Sequence, residues 1–118
     1  MGDGFERLEV WKKGCRLVVD IYGALKRCKD FGFKDQICRA ALSVPSNVAE
    51  GYERNSPGDF GRFINIAKGS AGELRTQLYI GKELGFIDAE SFGKLLEDSR
   101  HISAMLGALG KKVQERKQ

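Results

Sequence analysis

Histidine, cysteine and proline are scarce in this chain: its 118 residues include one His, three Cys and two Pro. A single histidine, His101, is too few for the paired Glu-x-x-His motifs that hold two metal ions in a helix bundle. The catalytic patterns GxSxG, HExxH and GxGxxG and the P-loop are also absent. We therefore predict that the protein is not an enzyme and has no catalytic residues, no metal site and no cofactor.

The three cysteines, Cys15, Cys28 and Cys38, are odd in number and form no CxxC pair. They do not suit the disulfide framework of a small secreted protein, and reduced thiols packed as small apolar groups are the ordinary alternative. The sequence also lacks an apolar run of about 20 residues, which a membrane-spanning helix needs. The N-terminus shows no signal-peptide pattern. We expect a cytoplasmic protein that does not enter the membrane.

Strand-like alternation of apolar and polar residues is missing as well, whereas helical periodicity covers nearly the whole sequence. The pattern predicts an all-α protein with one domain, residues 1–118. The expected helices run roughly over residues 8–29, 34–54, 57–84 and 89–115, with an aromatic loop at 31–33. Because the connections are short, sequential helices should be antiparallel neighbours in an up-down four-helix bundle.

Residues typical of helix ends mark the later boundaries. Ser56 has the side chain of an N-cap, Pro57 suits the first helical position, and Asp59 follows three residues after the cap. Gly85 predicts the end of the third helix, and Asp88 is the expected cap of the fourth.

Pro45 lies inside the apolar pattern of the second helix, in the stretch 37–51. Proline removes a backbone donor and costs roughly 3 kcal/mol in a helix interior. We expect a kinked helix whose freed carbonyls meet Ser46 and Asn47 or a neighbouring helix. The alternative is two short helices joined at residues 43–45.

Two apolar stripes run along the first helix and two along the third, where a small monomeric bundle needs one each. In the third helix, one stripe is Phe60, Ile64, Ala67, Ala71, Leu74 and Leu78, and the other includes Phe63, Ile66, Ile80 and Leu84. The spare apolar surface predicts a homo-oligomer. The alternative is one wide core that buries each helix over half its circumference.

Polar residues interrupt the second stripe of the third helix and follow the proline of the second. Buried polar groups are nearly always hydrogen-bonded, so we expect a structural network between the two helices. Its predicted members are Ser46, Asn47, Glu50, Ser70, Glu73 and Gln77, with Arg39 as counter-charge. A catalytic or metal role for the Glu50 and Glu73 carboxylates is the weaker alternative.

Basic residues share the remaining faces of the first and third helices. Cations aligned with an aromatic ring can follow a phosphate backbone while the ring stacks on a base. The predicted nucleic-acid-binding residues are Lys12, Lys13, Arg16, Lys68, Arg75, Tyr79 and Lys82. The net charge of +4 permits such binding without requiring it. An ordinary solvated helix face is the alternative.

Several motifs together resemble a known family. They are LEVWK at 8–12, QIxRAA at 36–41, PSNVAEG at 45–51, FxRF at 60–63, IAxGS at 66–70 with Glu73-Leu74, and KELGFI at 82–87. These motifs resemble the small proteins encoded in intervening sequences of bacterial 23S ribosomal RNA genes, often called ribosomal protein S23-like. The accessory protein of diversity-generating retroelements is a more distant relative. Cys38 and Gly61 depart from the family pattern, which often has an arginine and a larger residue there.

The resemblance implies an up-down bundle that assembles into a pentamer with a basic surface and no known catalysis. We expect a homo-oligomer, most simply a pentamer, that binds structured RNA or DNA through its basic helix faces. A protein-interaction adaptor, such as an accessory subunit of a reverse transcriptase, is the main alternative. A mobile-element passenger with no strong ligand is a third.

Overall fold

Four helices make up almost all of the structure, a computed structural model that describes residues 4–117. A short 3-10 turn at Phe5–Arg7 precedes α1 (Glu9–Ala24), α2 (Phe31–Glu53), α3 (Pro57–Glu83) and α4 (Ala89–Lys117). Within residues 4–117 there is no strand. The predicted all-α fold with four helices is confirmed.

Consecutive helices are antiparallel, and each helix occupies one corner of a four-helix bundle. Across α1 and α2, Gly14 faces Pro45 and Tyr22 faces Cys38. Across α2 and α3, Ser43 faces Ser70 and Gly51 faces Phe63. Across α3 and α4, Gly61 faces Val113 and Arg75 faces Ser103, and across α1 and α4, Asp20 faces Lys94. In each of the first three interfaces, one residue number rises as its partner's falls. Helix α1 contacts α2 and α4 but not α3, so α1 and α3 lie diagonally.

The start of α2 and the end of α1 differ from the sequence expectation. The predicted aromatic loop at 31–33 is wrong, because these residues form the first turn of α2. Asp30 caps that turn by accepting a hydrogen bond from the Phe33 amide at 3.0 Å. Helix α1 ends at Ala24 rather than near residue 29, since the chain turns there and buries Leu25 and Cys28.

The predicted start and end of α3 and the predicted start of α4 are confirmed. Ser56 accepts a hydrogen bond from the Asp59 amide at 3.4 Å, and Pro57 is the first residue of α3. Gly85 follows the helix with φ = 78°, a left-handed conformation that favours glycine. Asp88 accepts the Ser91 amide at 2.8 Å, and the hydrogen bonds from Ser91 hold the pKa of this carboxyl below its usual value.

Helix α2 continues through Pro45, so the alternative of two short helices is wrong. The proline ring is buried against α1, where a Cβ atom on Gly14 would lie 3.3 Å from the Pro45 Cβ. Two residues after the proline, the Asn47 side-chain amide donates to the carbonyl of Ser43, two residues before it, at 2.7 Å. A polar side chain therefore hydrogen-bonds the backbone beside the proline, and the kink itself stays a prediction.

One apolar stripe from each helix forms the core. Its largest side chains without solvent contact are Ile21, Leu25, Ile37, Ile64, Leu74, Leu78, Ile102 and Leu106. Cys28 and Cys38 are buried among them as free thiols, and Cys15 is also free. Burial raises the pKa of the Cys38 thiol. None of the helices between residues 9 and 117 has a stretch long and apolar enough to cross a membrane.

Candidate nucleic-acid interface

The three predicted cations of α1 are exposed side chains in the first half of that helix. The Lys12 amine lies 3.5 Å from the Glu9 carboxylate, and the Arg16 guanidinium lies 3.0 Å from Asp20. Lys13 has no carboxylate within 4 Å among the described residues. The exposed Lys12–Glu9 pair contributes only about 0–1 kcal/mol, so a phosphate can compete for Lys12. Arg16 is held more firmly, because its Nε and Nη2 atoms both donate to the largely buried Asp20.

Arg75 of α3 is engaged with α4 rather than with solvent. Its guanidinium donates to the carbonyl and hydroxyl oxygens of Ser99, at 3.5 and 3.4 Å, and to the hydroxyl of Ser103. Ser99 has no exposed surface. These contacts, all from the guanidinium nitrogen Nη1, fix α3 against α4, which gives Arg75 a structural role that the sequence pattern did not indicate.

Tyr79 and Lys82 also contact α4. The Tyr79 ring lies edge-on to Phe92 at 5.3 Å, and its hydroxyl accepts a hydrogen bond from Arg100 at 3.2 Å. The Lys82 amine lies over the Phe92 ring, 4.8 Å from the centroid. Lys68, the remaining predicted residue of α3, is exposed and has no ion pair in the described part of the chain.

The predicted cations therefore do not form one surface. Those of α1 lie diagonally from α3, and Lys68 lies near the middle of α3, about three helical turns before Tyr79 and Lys82. The bundle does, however, bring Lys68, Lys12 and Lys13 into the same half along its long axis, whereas Arg16 lies at the boundary of that half, paired with Asp20 beside Lys94. We call this half, residues 4–16, 43–69 and 104–117, the basic half.

Positive charge is concentrated in the basic half. It contains 11 Arg and Lys against six Asp and Glu, whereas the neutral half, residues 17–42 and 70–103, has nine of each. Arg62, Lys111, Lys112 and Arg116 contribute to this excess, and none of them was among the binding residues predicted from the sequence. Periodicity along one helix does not reveal them, because they come together only when α3 and α4 are antiparallel.

Large apolar side chains are exposed mainly in the neutral half. Seven are Val19, Tyr22, Phe31, Leu42, Tyr79, Ile80 and Leu84, each about half exposed or more, and the basic half adds Ile66. Ile66, Ile80 and Leu84 belong to the second apolar stripe predicted for α3. The core of the described bundle leaves that stripe largely exposed, although Phe63 at its start is buried.

A small polar network joins α2 and α3. The Ser43 and Ser70 hydroxyls lie 2.8 Å apart, and the side-chain amide of Asn47 donates to the Ser43 hydroxyl, also at 2.8 Å. Asn47 and Ser70 were predicted members, and Ser43 connects them. Its position four residues before Asn47, on the same helix face, is the signal that could have identified it.

The other predicted members lie outside this network. Arg39 pairs with Asp35 at 2.9 Å and Glu50 with Arg54 at 3.2 Å, both on the exposed surface. Ser46 and Glu73 are exposed as well. Gln77 is half-buried, and its buried Oε1 atom has no hydrogen-bond partner among the described residues. In the same part of the chain, no three His, Cys, Asp or Glu side chains are grouped closely enough to hold a metal ion.

Comparison with known proteins identifies the family. The family model described as 23S rRNA-intervening sequence protein matches residues 6–108. The chain belongs to this family. A crystal structure at 1.70 Å of a protein of unknown function from the S23 ribosomal protein family of Bacteroides thetaiotaomicron VPI-5482 is similar at a TM-score of 0.81. The two share 26% sequence identity over 86% of this chain and 98% of the other. No curated protein matches.

The 23S rRNA-intervening sequence match includes all the nucleic-acid-binding residues predicted from the sequence, from Lys12 to Lys82. It ends before Lys111, Lys112 and Arg116, so part of the basic half is contributed by residues that follow the matched region.

Proposed function

We propose that this member of the 23S rRNA-intervening sequence protein family binds RNA or DNA through its basic half and performs no chemistry. The supporting observation is the concentration of the net positive charge in one half of the bundle. Nucleic-acid backbones bind such surfaces by releasing counterions. A surface with mixed charges, such as the neutral half, has no comparable attraction for a polyanion.

The neutral half is the proposed self-association surface of a cytoplasmic homo-oligomer, a pentamer as the family resemblance implies. Seven large apolar side chains are exposed there, on α1, α2 and α3, and exposed apolar surface is what a protein contact buries. Association through this half would leave the basic halves free. Repeating them around a ring would raise the effective affinity for a polyanion.

Fluorescence anisotropy tests the proposal with a labelled RNA stem-loop and a matched DNA duplex, titrated at several salt concentrations. Binding that weakens steeply with salt is expected. The double variant Lys12→Glu with Lys13→Glu should bind more weakly, and its salt slope on duplex DNA should fall by up to about 1.8, or about 0.9 per lost phosphate contact.

The matched control is Lys26→Glu with Arg27→Glu, which changes the net charge equally in the neutral half. This control should bind within about twofold of the unmodified protein, apart from the weak effect of total charge. Equal losses in the two variants would show that total charge alone governs binding. No binding of either nucleic acid at low salt would refute the proposed function.

A protein-interaction adaptor, such as an accessory subunit of a reverse transcriptase, is the second candidate. The exposed Tyr79, Ile80 and Leu84 side chains favour it, because aromatic and apolar groups are enriched at the centres of protein interfaces. This function predicts a complex that forms equally well at high salt and is lost in Ile80→Glu, with nucleic-acid binding absent.

A further inference from the structure

A groove of about 870 Å³ runs between the first half of α3 and the last half of α4. Its polar lining consists of Arg62, Asn65, Lys68, Lys111 and Gln114, and its remaining lining residues are small or apolar. The groove lies entirely in the basic half. Of its three cations, only Lys68 was among the predicted binding residues.

The groove is positively charged without compensation from its own walls. None of its lining residues is Asp or Glu. Lys68 and Lys111 have no ion pair within 4 Å in the described structure. Arg62 has one exposed ion pair, 3.7 Å from Asp59, and its guanidinium lies over the Phe63 ring, 4.5 Å from the centroid. Both contacts are weak at an exposed site, so all three cations can bind phosphate oxygens.

Small residues allow close approach to the helix backbones. Gly61, Gly107 and Gly110 line the groove. A Cβ atom added to Gly107 would meet no other atom within 4 Å, so the space above this residue is open. None of the eight exposed large apolar side chains lies in the groove, which argues against a second copy of the chain as its occupant.

The groove suits an unpaired strand. It follows the line between two packed helices, whose axes lie about 8–10 Å apart, so it matches a single strand better than a nucleic-acid duplex. The Asn65 and Gln114 carboxamides offer both donors and acceptors beside the cations. A ribose 2′-hydroxyl can use both, and this group is what distinguishes RNA from DNA.

A second pocket, of about 200 Å³, adjoins the groove at Pro57. Its walls include the half-buried rings of Tyr52 and Phe60, which meet edge to face at 5.8 Å, and the Arg116 side chain. Aromatic rings beside a cationic groove are the usual arrangement for stacking the bases of a single strand. The cationic groove and the aromatic pocket share Pro57 and therefore form a continuous surface.

We propose that this groove binds an unpaired RNA strand, with its phosphates on Arg62, Lys68 and Lys111 and a base in the pocket at Tyr52. The inference rests on the proposed function and assigns it a specific site.

The test uses a labelled, unstructured RNA oligonucleotide, the DNA strand of the same sequence and an RNA duplex. Lys68→Glu with Lys111→Glu should weaken binding of the RNA strand by about tenfold or more, and its salt slope should fall by about 1.4, or about 0.7 per phosphate contact. Gly107→Leu fills the groove without changing the charge and improves helix propensity. It should weaken binding about fivefold or more while the protein stays folded, because a bound strand needs that open space.

Lys26→Glu with Arg27→Glu is the control of equal charge change, and circular dichroism and native mass are measured for every variant. If both groove variants bound RNA as tightly as the unmodified protein, the groove would not be the binding site, and the proposed function would remain intact. Absence of any binding by the unmodified protein at low salt would instead refute the proposed function itself. Equal affinity for the DNA strand or the duplex would overturn the assignment of unpaired RNA. A lower native mass with RNA binding retained would show that a second copy occupies the groove.

Discussion

Gly51 of α2 lies so close to Phe63 of α3 that a Cβ atom on the glycine would be 2.6 Å from the Phe63 Cβ. It would also lie 3.4 Å from the Cα atom of Phe60, which belongs to the backbone and cannot rotate away. Helices α2 and α3 can therefore pack at this distance only while residue 51 has no side chain.

Gly51→Ala should consequently destabilise the protein, although alanine is the better helix former. Overpacking costs about 1–3 kcal/mol, and the gain in helix propensity is about 1 kcal/mol. Urea denaturation followed by circular dichroism gives the free energy of unfolding. Gly69→Ala is the matched control in α3, because no atom lies within 4 Å of its added Cβ, and it should be stabilising. If Gly51→Ala stabilised the protein as Gly69→Ala is expected to, the close contact between Gly51 and Phe63 would be contradicted.

Asn47→Leu should destabilise the protein by about 1–3 kcal/mol, because it removes the hydrogen bonds to the Ser43 carbonyl and hydroxyl. The exposed neighbour Ser46 provides the comparison, and Ser46→Ala should change the free energy of unfolding by no more than about 0.5 kcal/mol. Thermal melting and native mass are the measurements. An unchanged melting temperature and mass for Asn47→Leu would show that the network does not stabilise the bundle.

Arg75→Met should lower stability by about 1.5–3 kcal/mol, the range for hydrogen bonds to a charged group, because Ser99 is buried and loses its donor. Lys13→Met removes the same charge from an exposed position without an ion pair and should leave the free energy of unfolding nearly unchanged. If Arg75 acted only as a phosphate contact, the two variants would be equally stable.

Asp88 should make the folded state sensitive to acid. Its pKa is lowered by hydrogen bonds from the Ser91 amide and hydroxyl. Because the folded state favours the charged form, the stabilisation is complete above the ordinary pKa of about 3.9 and is lost as the pH falls through the lower folded value. Asp88→Asn can still cap α4 but does not titrate. Its melting temperature should therefore decline less between about pH 5 and pH 2 than that of the unmodified protein; parallel declines would exclude Asp88 as a source of acid sensitivity.

Local chemistry was enough to predict much of the fold. The cap at Ser56, the proline that follows it, Gly85 and Asp88 each act on the backbone within a few residues, and all four mark helix ends in the structure. The start of α2 was missed because Phe31 and Phe33 resembled an aromatic loop, although Asp30 is an ordinary N-cap residue. In the structure the Phe33 ring packs against Phe86, with centroids 5.1 Å apart, so distant residues help to hold this turn.

The candidate site was less predictable, because periodicity shows which residues share a helix face but not what the face meets. Arg75 and Lys68 lie on the same predicted face of α3. The Arg75 guanidinium donates hydrogen bonds to Ser99 and Ser103 of α4, whereas the Lys68 amine is exposed. The groove depends on residues 62–68 and 107–114, which are about 45 positions apart in sequence. Only the antiparallel packing of α3 and α4 brings them together.

The uneven distribution of charge along a body of 47 × 25 × 22 Å gives the molecule an electric dipole parallel to its long axis. In the field of a polyanion, such a dipole experiences a torque, and the molecule turns before contact so that its positive end leads. Collisions in the wrong orientation become less frequent, which raises the association rate at low ionic strength. Salt should therefore slow the arrival of the protein on a nucleic acid as well as weaken the final complex.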